Sequence, residues 1–151
     1  HLTEVYMFFS VGVETPHNEN TAYGMVIPAF EAYGYSCFSA ADTQKEIPSM
    51  VREAILLTVE DMVMSGKFLV EQLQDAGHLI YSMNPEYSDF DTWFVIDIDL
   101  SRFEGKQQRI NIALPDTLIK RIDNQVKEHP SKYRDRSHFI AEAARHELIS
   151  N

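Results

Sequence analysis

Arg109, Asn111 and Ala113 alternate near the end of the chain with Ile110, Ile112 and Leu114, so an extended Gln107–Leu114 segment puts a polar triad on one face and an apolar one on the other. Arginine can bond guanine O6 and N7, and asparagine can bond adenine N6 and N7. A two-stranded ribbon carrying this face therefore suits the major groove of DNA. Ala113 can touch a thymine methyl but cannot read a base edge by hydrogen bonds. Further on, Arg136 and Ser137 open a helical stretch, where a guanidinium beside backbone N–H donors is the chemistry of a phosphate clamp.

A second constellation is acidic. Asp97 and Asp99, spaced i, i+2 on one strand face, could join Asp42 or Glu60 in holding Mg²⁺, as two-metal nucleases require. Alternate acids on the wet face of a strand are common, however, and the expectation is a protein without catalysis. Cys37 lies in an apolar strand with no histidine beside it in sequence, which suits a buried small hydrophobe better than a nucleophile. The six histidines show no zinc-ligand spacing, so neither a metal nor a cofactor is expected. Trp93 with Phe94 reads as core, and Met50, Met62 and Met64 read as helix packing.

Charge distribution separates these two sites. The 151 residues carry 13 Lys+Arg against 23 Asp+Glu, a net charge of -10 that at first argues against nucleic acid. Residues 1–105 hold four of the bases and 17 of the acids, a balance of -13, while residues 106–151 hold nine bases and six acids, a balance of +3. The boundary falls on the turn signal Arg102-Phe103-Glu104-Gly105-Lys106. An acidic head would attract a basic partner, leaving any DNA contact to the tail. A merely solubilising surface is the plain alternative for the acids.

The elements that must position these residues follow from periodicity. Val5–Val13, Thr21–Ile27 and Tyr35–Ala40 read as strands, the second stopped by Pro28. Asp42 or Thr43 can cap a helix in which Ile47, Met50, Val51, Ala54, Ile55, Val59, Met62 and Val63 form the apolar face and Gly66 is the stop. Val70–Ala76 suggests a short helical piece, Leu79–Met83 is ambiguous, and Thr92–Leu100 is the clearest strand. The expected head over 1–100 is thus a small α+β domain, β-β-β-α-β, with an antiparallel sheet and one long helix against it. After a 101–106 linker, residues 107–151 read as strand, helix and helix. Pro115 stands at the first turn of the middle helix, which runs to about His129, and Ser137 or Asp135 caps the last.

A tail of about 45 residues has difficulty burying enough apolar surface alone. One solution pairs its strand with that of a second copy. The segments R-I-N-I-A-L-P-D-T-L-I-K-R-I-D and R-S-H-F-I-A-E-A-A-R-H-E-L resemble a ribbon-helix-helix DNA-binding domain of the MetJ/Arc type. The resemblance implies an obligate dimer, Arg109, Asn111 and Ala113 facing bases, and Arg136/Ser137 on a phosphate. Ala113 stands where the family usually carries a long polar residue. The plain alternative, a helical cap on the head's core, leaves the polar triad without a purpose.

In the head, A-Y-G-M-V-I-P-A-F (22–30), G-Y-S-C-F-S-A-A-D-T (34–43) and M-V-R-E-A-I-L-L-T-V-E-D-M (50–62) resemble the N-terminal domain of HicB-type antitoxins, a truncated ribonuclease H-like fold. That resemblance implies a small basic mRNA-cleaving HicA-like toxin as protein partner, operator DNA of the shared operon as the second, and a homodimer through the tail that can extend to a tetramer. The Gly77–Thr92 stretch has no clear counterpart in the family pattern. A dimeric repressor with a small-ligand sensor head is the competing reading. No apolar run is long enough to span a bilayer, no signal peptide is visible, and a single cysteine suits a reducing compartment, so a bacterial cytoplasmic protein is expected. His1 to Tyr6 reads as partly foreign sequence, with Met7 as a native start.

Overall fold

The computed structural model describes residues 6–150. Residues His1–Val5 of the stretch His1 to Tyr6 read as partly foreign, the strand start at Val5 and the last residue of the tail fall outside them. Contacts divide the chain into two compact units, His1–Lys106 and Gln107–Asn151.

In the head, β1 (Tyr6–Glu14) is aromatic and β-branched, the composition that fits a pleated, half-buried surface. It pairs antiparallel with β2 (Tyr23–Val26) on one side and β4 (Thr92–Asp99) on the other, while β3 (Phe38–Ala41) pairs with β2. The order β3-β2-β1-β4 makes a four-stranded antiparallel sheet. Pro28 does stop β2, and it also opens a 3-10 turn, Pro28–Tyr33, that closes at Gly34 with φ of 83°, a left-handed conformation suited to glycine.

Helix α1 (Ile47–Met64) carries the expected stripe. Val51, Ile55 and Val59 are fully buried against Phe9, Val11, Ile96 and Ile98 of the sheet, and Met50, Ala54 and Val63 flank them. Phe9 stacks on Phe30 with ring centroids 5.4 Å apart. The helix starts later than the Asp42/Thr43 reading placed it. Thr43 precedes a 3-10 turn, Gln44–Glu46, without a side-chain cap bond, and the α geometry begins where Pro48 can occupy the first turn with its missing N–H. Gly66, with φ of 76°, follows its end.

The segment between α1 and β4 starts in the main core, where Val70 and Leu73 are buried, and its later part covers the sheet's other face. It contains a 3-10 turn at Val70–Gln72, helix α2 (His78–Met83) and a turn at Pro85–Tyr87. Tyr81 of α2 stacks on Trp93, which is also flanked by Tyr87 and Phe90. Gly12 lies beneath: a Cβ there would sit 2.9 Å from the Trp93 ring, a closeness that only glycine permits. Trp93 is therefore half-buried on this second face, outside the main core. The head continues past β4, with Leu100 fully buried, and a 3-10 turn, Ser101–Phe103, occupies the first half of the expected linker.

The tail consists of α3 (Asp116–Glu128) and α4 (Arg136–Ile149), preceded by residues 107–114, which belong to no strand or helix. The strand expected there is absent from the single chain. Ladder hydrogen bonds need a neighbouring strand, and the described tail supplies none.

Candidate functional site

Two surfaces carry the candidate chemistry, one in each unit. In the tail, Arg109, Asn111 and Ala113 are all exposed, as are Ile110 (72%) and Ile112 (54%) on the alternate positions. Ile122 is the one buried residue among those described in the tail, and Leu118 and Leu148 are exposed. Apolar side chains this open on so small a unit mark a surface built to be covered.

Asp135, one of the two proposed caps, is the one that acts. Its carboxylate accepts the His138 N–H at 2.8 Å, closing the first turn of α4. Ser137 is then the second residue of the helix and is exposed. Arg136 is engaged: its Nε and Nη2 donate to the two Asp123 carboxylate oxygens at 3.0 and 2.8 Å, a bidentate fork joining α4 to α3. The guanidinium hydrogen bonds hold the Asp123 carboxyl below its ordinary value and raise Arg136 in turn. Both groups are solvent-exposed, so a phosphate can compete with Asp123 for the same fork.

In the head, the acids do not assemble a metal centre. Asp97 and Asp99 lie on the sheet face opposite α1, as their alternation with Ile96 and Ile98 required. Glu60 is exposed on α1, on the other side of the sheet, and Asp42 follows β3 at the far edge. Among the described residues no three His, Cys, Asp or Glu side chains come together as a metal site. Asp99 accepts instead from the Ser101 N–H and hydroxyl at 2.9 and 2.6 Å, which lowers its carboxyl from the usual range. Cys37 is buried, and burial pushes its thiol up, away from the reactive thiolate.

Other head residues were not singled out from sequence. Asp75 accepts from the Ser10 N–H at 2.9 Å, the Ser10 hydroxyl at 2.6 Å and the Gly77 N–H at 2.9 Å. The register shows why: toward its start from Gly12, β1 has β4 alone as a strand neighbour, and the carboxylate takes the place of a second strand. Asp91 accepts the Thr15 N–H and hydroxyl, both at 2.8 Å, and is lowered by these bonds from 3.8 to about 2. Tyr87, raised by burial first, donates to Glu31. Phe8 and Val95 stand exposed on the sheet face that α2 covers only in part, at 63% and 45%. Their strand periodicity was the available signal: Phe8 alternates with the buried Phe9 and Val95 with Ile96. A shallow groove of about 310 Å³ between β3 and α1, lined by Cys37, Phe38, Met50, Glu53 and Leu57 among others, is a third surface feature.

Comparison with known proteins joins the two units. A 14.9 kDa protein encoded in the rep–hol intergenic region of Haemophilus phage HP1 (strain HP1c1) is 37% identical over 115 residues, 76% of this chain and 82% of its own length. The crystal structure of the Burkholderia pseudomallei antitoxin HicB superposes with a TM-score of 0.52 at 27% identity, covering 91% of this chain and 96% of that one. The model of the HicB-like antitoxin family of bacterial toxin–antitoxin systems matches residues 9–144, from β1 through most of α4. With that match spanning both the acidic sheet domain and the helical tail, the chain belongs to the HicB-like antitoxin family.

Proposed function

We propose that the chain neutralises a small, basic, HicA-like mRNA-cleaving toxin through its head and represses its own operon through its tail, acting in the cytoplasm and without catalysis. The observation that carries this reading is the family match running through both units, whose charges differ in sign. In the tail, residues 107–114 of two copies pair as an antiparallel ribbon, which would cover Ile110 and Ile112 and present Arg109, Asn111 and Ala113 to base edges. This makes the DNA-binding form a homodimer of the ribbon-helix-helix kind, and contacts between heads can extend it to a tetramer. Ser137 supplies a helix N-terminus to a phosphate, and Arg136 exchanges Asp123 for it.

The test is a double substitution, Arg109→Ala with Asn111→Ala, assayed at fixed salt on DNA from upstream of the chain's own gene. Operator binding disappears while inhibition of the toxin persists. Unchanged operator affinity would exclude the ribbon. A ligand-sensing repressor is the second reading, favoured by the groove between β3 and α1. It requires operator affinity that responds to a small molecule and is insensitive to any basic protein partner.

A further inference from the structure

The second face of the head sheet is covered over one end only. Around Gly12, the ring of Trp93 and the aromatic residues of the α2 segment seal it. Toward the other end, the pairs Ser10↔Val95 and Phe8↔Asp97 lie side by side on β1 and β4, followed by Tyr6↔Asp99. Directly opposed residues of an antiparallel pair project to the same side, so Phe8, Val95, Asp97 and Asp99 form one patch. Phe8 and Val95 are exposed at 63% and 45%, and Met83 of α2, which packs on these same strands, at 81%.

Two features select the occupant. An exposed aromatic beside a β-branched residue on fixed strands is the kind of anchor that dominates protein interfaces, with little ordering cost. The charged residues within it are both acidic, Asp97 and Asp99, and among the described residues of the head no Asp or Glu forms an ion pair with Lys or Arg. The groove at α1 differs, because Glu53 is the single charged residue of its lining.

We propose that this uncovered end of the sheet, centred on Phe8, Val95 and Asp97, is the surface on which the head seats its basic toxin partner. The assignment rests on the antitoxin reading above and gives that reading an address. Phe8 supplies the apolar anchor, and Asp97 and Asp99 supply the field that attracts lysine and arginine side chains.

The experiment uses the full-length chain and, as probe, the short basic protein encoded beside its gene. Phe8→Ser and Asp97→Lys each weaken the complex by about tenfold or more. Leu57→Ser combined with Glu53→Lys, the same chemical changes made at the groove, leaves it unchanged. Both Phe8 and Asp97 are exposed, so thermal melting of the variants matches the parent chain and separates docking from folding. If the parent chain binds the toxin but the groove variant is the one that loses it, the assignment is overturned and the antitoxin reading stands. If Phe8→Ser alters self-association while toxin affinity holds, the patch belongs to a second copy and the assignment again fails. A parent chain that does not bind the toxin overturns both.

Discussion

The head seals Phe9, Val11, Val51 and Ile55 away from water within one chain, whereas the tail buries Ile122 and leaves Ile110, Ile112 and Leu148 exposed. Both units are amphipathic by sequence, so the difference lies in where the covering surface comes from. A sheet with a helix on one face closes its own core. Two helices behind an extended segment close much less of theirs, and units this small often draw on a partner for stability. On the proposed ribbon, binding of a second copy becomes part of the tail's stability, whereas the head closes its core within the single chain.

The largest expected effect lies in the head. Phe9→Ala removes a fully buried ring stacked on Phe30 and costs about 3–5 kcal/mol in denaturant unfolding. A loss below about 1 kcal/mol breaks the view that the core seals itself within the chain. Next, dilution separates the units. Each tenfold drop in concentration lowers tail stability by about 1.4 kcal/mol through dimer dissociation and leaves the head transition in place. A tail transition independent of concentration, followed by circular dichroism, shows that it folds alone.

Smaller changes sharpen the contrast. Asp135→Ala removes the cap of α4 and costs about 1 kcal/mol, seen in the tail transition only. The smallest effect is the Asp91 tie in the head. Its carboxyl is lowered from 3.8 to about 2, so its contribution is complete above 3.8 and fades as pH falls through about 2. Asp91→Asn flattens that part of the acid unfolding profile. An unchanged profile removes Asp91 from the acid response.

Legibility in the sequence follows the same division. The aromatic and β-branched run of β1, the alternation of β4 and the helical stripe of Ile47, Val51, Ile55 and Val59 were readable because each pattern is satisfied within the chain. Helix α2 was ambiguous for a physical reason: it follows Gly77 at φ of 98°, lacks a side-chain cap, and leaves Leu79, Ile80 and Met83 outward, so its six residues show no amphipathic signal. The 3-10 turn after Pro28 was read only as a strand stop. In the tail, the alternation of residues 107–114 is plain, but a ladder depends on hydrogen bonds from outside that segment. Arg136 was legible as a cation near a helix start, whereas its fork to Asp123, 13 residues away, depends on how α3 and α4 pack.

The placement of Trp93 has an optical consequence. It is the sole tryptophan of the chain, and it lies over Gly12 in an aromatic cluster on the sheet face whose open end carries Phe8. Excitation at the red edge of protein absorbance therefore reads the head and is silent about the tail, whose aromatic side chains are tyrosine and phenylalanine. The molecule carries its own spectroscopic label on one unit, so events at the head can be timed in the intact protein without attaching a dye.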